Sequence, residues 1–216
     1  MASGSRTRLD PAARRAQLVG LGLEMLSTRS LDELAIEDIA TAAGISRGLL
    51  FHYFPSKRDF REAVVRAAAA DLLDHVEPDR SLPIVEQLRS GVQAFVDYVC
   101  DNRDGYVSLL RGAGGGDPRL RAIFDETRST IASRIVNQLA HLSGDQEPPT
   151  RVRLAVRGWV AFGEEVILNW LSEPVPPSDL DRPALVELLD QALLALVASA
   201  AATTPGTEPG PDGKGD

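Results

Sequence analysis

Along most of this chain apolar side chains return every three or four residues, the period of a helix that buries one side. Residues 11–28 carry Leu18, Leu21, Met25 and Leu26 at that spacing, and Pro11 suits the first turn. Gly20 and Gly22 weaken this helix and leave room for a close crossing. A short helix follows through Ile36, Ile39 and Ala43, and residues 56–77 line up Phe60, Val64, Ala67 and Leu72 or Leu73 before Pro78 ends them. Residues 83–101 form a stripe of Ile84, Leu88, Val92, Phe95, Val96 and Val99, and residues 102–112 carry Tyr106, Leu109 and Leu110. Asp117 can cap, and Pro118 open, a helix to residue 142 with Leu120, Phe124, Thr127, Ile131, Ile135 and Leu139. The most apolar helix, 150–171, repeats Val152, Val156, Trp159, Phe162, Val166 and Trp170, and the last, 184–202, repeats Leu185, Leu189, Ala192, Leu193, Leu196 and Ala200. The pattern predicts an all-α chain. Glycine and proline gather at 112–118, 143–149 and 173–183, which read as joints. Residues 1–10 and 203–216 lack a core pattern and read as a flexible arm and a disordered tail.

Residues 44–57 read GISRGLLFHYFPSK. Gly44 supplies a tight turn between two helices, and the Ser46 hydroxyl can cap the second, leaving Arg47, Gly48 and Leu49 in its first turn. Ile45 and Phe51 are expected to face inward, with Arg47, Leu49, His52 and Tyr53 outward. Pro55 stops this helix, and Ser56 caps another whose first turn holds Lys57 beside free amides, an anion-binding end. That is the layout of a helix-turn-helix, whose second helix enters the major groove with its N-terminal residues on base edges. A plain helical hairpin also has a glycine turn. The capped start, the outward set and the basic end together favour DNA binding.

Residues 16–60 resemble the N-terminal DNA-binding domain of the TetR family of bacterial transcriptional regulators. The match is carried by Leu18, Leu23, Met25 and Leu26, by IEDIATAAGIS at 36–46, by RGLLFHYFPSK at 47–57 and by Phe60. Ala35 stands where the family often has a phosphate-binding threonine, and Ser30 where glycine commonly closes the first helix. The resemblance implies a DNA-binding domain over residues 11–60, then a helical effector-binding and dimerisation domain over 61–202. It also implies that the helix after Ser56 transmits ligand binding to the reading head. A cytoplasmic repressor released from a palindromic operator by a small, largely apolar effector is the expected behaviour. An activator, a repressor needing a co-repressor, and a helical module that contacts only proteins are the alternatives.

The DNA-reading set is Ser46, Arg47, Gly48, Leu49, His52, Tyr53 and Lys57. Arg47 can pair with guanine O6 and N7, Leu49 can touch a thymine methyl, and Gly48 lets the backbone approach. Ser46, Tyr53 and Lys57 suit phosphates, and His52 suits either role. Two apolar C-terminal helices can pair with their copies as a four-helix bundle, giving a homodimer and half-sites ~34 Å apart. Tyr98, Tyr106, Phe124, Trp159, Phe162 and Trp170 lie on helices able to surround a cavity, with core packing as the competing role of each. Glu164, Glu165 and Asn169 interrupt the apolar helix, where one can face a pocket and a solvated face or the dimer seam is the alternative; we assign Glu165 to the effector set.

The 216 residues carry a formal net charge of −8, which sits badly with DNA until it is divided. Residues 1–66 hold ten basic and eight acidic side chains, whereas the remainder holds thirteen against twenty-three. The acidic excess therefore lies away from the reading segment. Cys100 has no cysteine to pair with and reads as a small core residue, while His52, His75 and His141 lack metal-ligand spacing. No nucleophile-elbow pattern occurs, and adjacent Glu164 and Glu165 diverge on a helix, so neither an enzyme nor a cofactor is expected. No uninterrupted apolar stretch reaches ~18 residues and the N-terminus lacks a signal peptide's apolar core, so a soluble, cytoplasmic protein is expected.

Overall fold

Helix ends in this chain are set by identifiable chemistry, and the helices between them follow the apolar stripes. A computed structural model describes residues 10–26, 28–114, 117–144, 147–172 and 180–202; the expected arm up to residue 9, the tail, and most of the joint at 173–183 lie outside these. The described helices are α1 Pro11–Leu26, α2 Ile36–Ala42, α3 Arg47–Tyr53, α4 Lys57–His75, α5 Ile84–Asp101, α6 Arg103–Gly114, α7 Pro118–Ser143, α8 Thr150–Ser172 and α9 Arg182–Ala202, with a 3-10 turn at Leu31–Glu33. No strand occurs among the described residues, and the chain is all-α as expected. Ser46, Ser56 and Asp117 each cap a helix by accepting a backbone N–H, from Leu49, Asp59 and Arg119 respectively. Gly44 takes φ +63°, which its lack of a Cβ makes inexpensive.

Two apolar cores result. The first joins α1, α2, α3 and the start of α4 through Leu18, Leu34, Ile39, Leu50, Phe54, Phe60 and Val64, and takes in Leu120 and Ile123 from α7. The second packs α5 through α9 around Val96, Val99, Val156, Ile167, Leu185 and Leu189. Helix α4 belongs to both, since Leu72 sits in the second. α9 is long and apolar enough to cross a membrane by length and composition. Glu187 and Asp190 interrupt it, and Leu185, Val186, Leu189 and Leu193 are buried in the second core.

Close backbone approaches lock the first core to its surroundings. A Cβ on Gly22 would lie 2.5 Å from Val64 Cγ2 and 3.1 Å from Phe60, so α1 crosses α4 only because that position is bare. Gly20 has nothing within 4 Å and plays no part in the crossing. On α6, a Cβ at Gly105 would meet the Leu26 carbonyl oxygen at 2.7 Å, and the Ser108 hydroxyl accepts the Leu31 N–H at 2.7 Å. Gly22→Ala should lower stability by about 1–3 kcal/mol through overpacking, while Gly20→Ala should raise it by up to about 1 kcal/mol through helix propensity. Urea midpoints of the two variants check the pair; similar effects would contradict the crossing geometry.

Candidate nucleic-acid interface and adjoining cavity

The second helix of the turn presents its first turn to solvent. Ser46, Arg47, Gly48, His52 and Lys57 are exposed, Leu49 is 40% exposed, and Tyr53 is half-buried with its ring edge-on to His52 at 5.5 Å. The Ser46 Oγ accepts the Leu49 N–H at 3.2 Å, so α3 begins at a defined point. Nothing in the fold asks for glycine at 48: an added Cβ would meet only the Ser46 Oγ, at 3.9 Å. Arg47 forms an ion pair at 2.9 Å with Glu37 of α2 and lies over the Phe51 ring, 5.4 Å from its centroid. Ile45 and Phe51 do pack against the head core, but at its rim and not its centre. Leu50 and Phe54 fill the core at 0% and 1% exposure, while Ile45 and Phe51 are half-buried at its rim. Leu50 of α3 and Phe54, the residue that ends it, are spaced i, i+4 and take the centre, while Ile45 and Phe51 fall to the edge.

Behind Lys57, α4 is clasped to α7. Arg58 pairs with Asp117 through both ends of its guanidinium, at 2.7 and 3.0 Å, and Arg119 reaches Asp59 at 3.0 Å and Glu62 at 3.2 Å. Arg58 holds the Asp117 carboxyl below the usual range, and the Ser56 hydroxyl, donating at 2.7 Å, does the same for Asp59. Neither contact has a spacing signature, because its partners are about sixty positions apart in sequence.

A cavity of about 250 Å³ opens where α4, α5, α6, α7 and α8 converge. Tyr98, Tyr106, Phe124 and Trp159 line it together. Phe162 does not: it is 41% exposed, on the outer side of α8 with Leu154 at 63%. Glu165 is exposed and accepts a hydrogen bond from Asn169, whereas its neighbour Glu164 faces the cavity. The next position along a helix turns by about 100°, which separates these two carboxylates. Trp170 is also off the cavity, its indole N–H donating to the Leu180 carbonyl at 2.8 Å. Unforeseen from sequence are Arg128, which pairs with Glu164 at 2.7 Å, and Arg134, which pairs with Glu77 at 2.8 Å. Cys100 is half-buried against the second core, and burial pushes its thiol up.

An exposed, capped helix start following a glycine turn is the reading head of a helix-turn-helix DNA-binding protein. A family model described as bacterial regulatory proteins of the tetR family matches residues 18–64, and one described as a tetracyclin repressor-like C-terminal domain matches residues 84–196. The chain belongs to the TetR family of transcriptional regulators. Its fold is similar to the crystal structure of a tetR-family transcriptional regulator from Streptomyces coelicolor, with TM-score 0.72 and 34% identity over 90% of this chain and 84% of that one. It is 25% identical over 86% of its length to the HTH-type transcriptional activator FasR of Mycolicibacterium smegmatis, covering 84% of that protein. A 68-residue segment is 41% identical to the HTH-type transcriptional repressor KstR2 of the same organism, over 32% of this chain and 31% of that one.

The clasp makes a pH-dependent contribution of definite sign. A carboxyl whose folded pKa is depressed stabilises at neutral pH and loses that contribution as pH falls through the folded value. Asp117→Asn keeps an oxygen for the α7 cap but removes the charge facing Arg58. It should lower the urea midpoint at pH 7, and the gap to the natural protein should close below about pH 4. A gap that persists in acid would place the effect in the cap instead.

Proposed function

We propose that this regulator is a homodimeric repressor that releases a palindromic operator when a small, largely apolar effector fills the cavity. The exposed, Ser46-capped first turn of α3 carries the proposal, because it offers Arg47, Gly48 and Leu49 to a groove, with Arg47 held to the rest of the head, among the described residues, only by an exposed ion pair and a ring contact. Arg47 reads a guanine, Leu49 a thymine methyl, and Ser46, Tyr53 and Lys57 hold phosphates, with His52 beside them. Residues 11–60 act as the reading head and residues 61–202 as the effector-binding and dimerisation part, α4 being shared. The protein works in the cytoplasm and has no catalytic role.

The effector acts through differential affinity. Its cavity is walled by Ala68 and Leu72 of α4, Tyr106 of α6 and Phe124 of α7, and these three helices also hold the head. A ligand that fits one arrangement of them better moves the two heads away from the spacing of the operator. A coupling of about 1–3 kcal/mol changes operator affinity roughly 5–150-fold. Dimerisation uses the outer faces of α8 and α9, where Leu154, Phe162, Leu188 and Leu194 are left exposed. Similarity over most of the chain to a protein named as an activator supports a second reading, in which the same bound state recruits transcription.

Selection of genomic fragments by the purified chain at moderate salt should return a palindrome with half-sites ~34 Å apart or a similar spacing. No enrichment, with or without cell extract as a source of effector, would count against the proposal. Lys57→Ala should lower the slope of log affinity against log salt by about one, and Arg47→Ala should cost about 1–3 kcal/mol and relax one operator position. Phe162→Glu, which removes no cavity contact, should convert dimer to monomer in sedimentation; an unchanged dimer would move the seam elsewhere.

A further inference from the structure

The polar groups of the cavity narrow the chemistry of its occupant. Nearly all of them are already engaged within the protein. The Thr127 hydroxyl donates to the Ile123 carbonyl at 2.8 Å, Asn102 to the Tyr98 carbonyl at 2.9 Å, and the Trp159 indole to the Leu189 carbonyl at 2.9 Å. Gln138 donates to Gln87 at 3.2 Å, and Gln87 donates to the Leu82 carbonyl at 2.7 Å. The Tyr98 hydroxyl has the Ala68 carbonyl at 3.4 Å and the Asp71 carboxylate nearby. Both guanidinium groups on the wall carry carboxylate partners: Glu164 grips Arg128 with both oxygens, at 2.7 to 3.0 Å, and Glu77 holds Arg134.

Tyr106 is the exception. It is 7% exposed, it lines the cavity, and among the described residues its hydroxyl has no hydrogen-bond partner. Its ring is fixed edge-on to Phe95, with centroids 6.2 Å apart, and burial keeps its phenol protonated. A phenol O–H that opens onto a cavity and has no protein acceptor is free to donate to an acceptor oxygen of a ligand, and is left unpaired by an apolar ligand that displaces solvent from it.

We infer that the cavity takes a neutral ligand of the ketone or ester class, an apolar body bearing one acceptor oxygen, which receives the Tyr106 O–H. This rests on the proposal that the cavity is the effector site. A carboxylate would add a negative charge to a wall that already carries Asp71 and Glu164, with Arg128 and Arg134 both occupied. A cation would find Glu164 already held by Arg128, and a pure hydrocarbon would leave the phenol unpaired. At interior packing density, about 250 Å³ holds roughly a dozen non-hydrogen atoms.

The test titrates the full chain with 2-decanone and with decanoate, following tryptophan fluorescence, since Trp159 lines the cavity, and melting temperature. The ketone should bind at least about tenfold more tightly than the acid, and Tyr106→Phe should weaken the ketone about 3–10-fold, the size of one hydrogen bond. Tyr98→Phe, on the same wall, should change it less than about twofold because that hydroxyl already faces Ala68 and Asp71. Tighter binding of decanoate, or a ketone affinity unaltered by Tyr106→Phe, would overturn the ligand class or its anchor while leaving the cavity a binding site. A natural chain that responds to neither probe would overturn the effector-site proposal, and this inference with it.

Discussion

Helix α4 buries Phe60, Val64 and Val65 in the core of the head and Leu72 in the core of the body, so one rod of 19 residues, roughly 28 Å long, is held at both ends. Close-packed interiors do not stretch, and a displacement at one end of such a rod is carried to the other or resisted. Most other features follow from this constraint. Gly22 must be bare for α1 to reach α4, Gly105 must be bare for α6 to reach the end of α1, and Leu120 and Ile123 of α7 complete a core that α1 to α4 leave open. The cavity lies where these supports meet, which makes it a place from which the head can be moved.

The charged clasp gives that junction its orientation. Apolar contacts such as Leu120 on the head core tolerate small rotations, whereas the two-pronged Arg58–Asp117 pair and the fan of Arg119 onto Asp59 and Glu62 favour one angle. The two arginines are about half exposed, and pairs open to solvent contribute little to stability. What they contribute is a preferred angle between α4 and α7. It also explains part of the acidic excess beyond residue 66: Asp117 and Glu126 answer Arg58 and Arg66 of α4.

Much of the fold could be read from the sequence, because its signals are local. Ser46, Ser56 and Asp117 cap as expected since a cap involves only the next few residues, and Gly44 turns because its backbone conformation is a property of one position. The stripes on α5 and α7 place the right faces inward because those helices are long enough to average out errors of phase. α3 is too short for that, which is why Leu50 and Phe54, not Ile45 and Phe51, hold its centre. The cavity was legible only in part. Tyr98, Tyr106, Phe124 and Trp159 do meet, but an apolar residue looks the same in sequence whether it faces a cavity or an outer surface, and Phe162 faces outward. Glu164 and Arg128 are separated by thirty-six positions, and only the packing of α7 on α8 brings them together.

The ion pair between Arg47 and Glu37 has a bearing on how the protein searches a genome. Both side chains are well exposed, 65% and 58%, so under the proposal that Arg47 reads a guanine, exchanging the carboxylate for the base would cost little. At a sequence with no guanine in reach, Arg47 stays with Glu37, and the carboxylate is brought up to the phosphates with nothing gained at the bases. Wrong sites would then be penalised by an attraction kept inside the protein and by a repulsion from the DNA. The head would dwell only briefly at each of them, so fewer molecules of the regulator are held up on the rest of the chromosome.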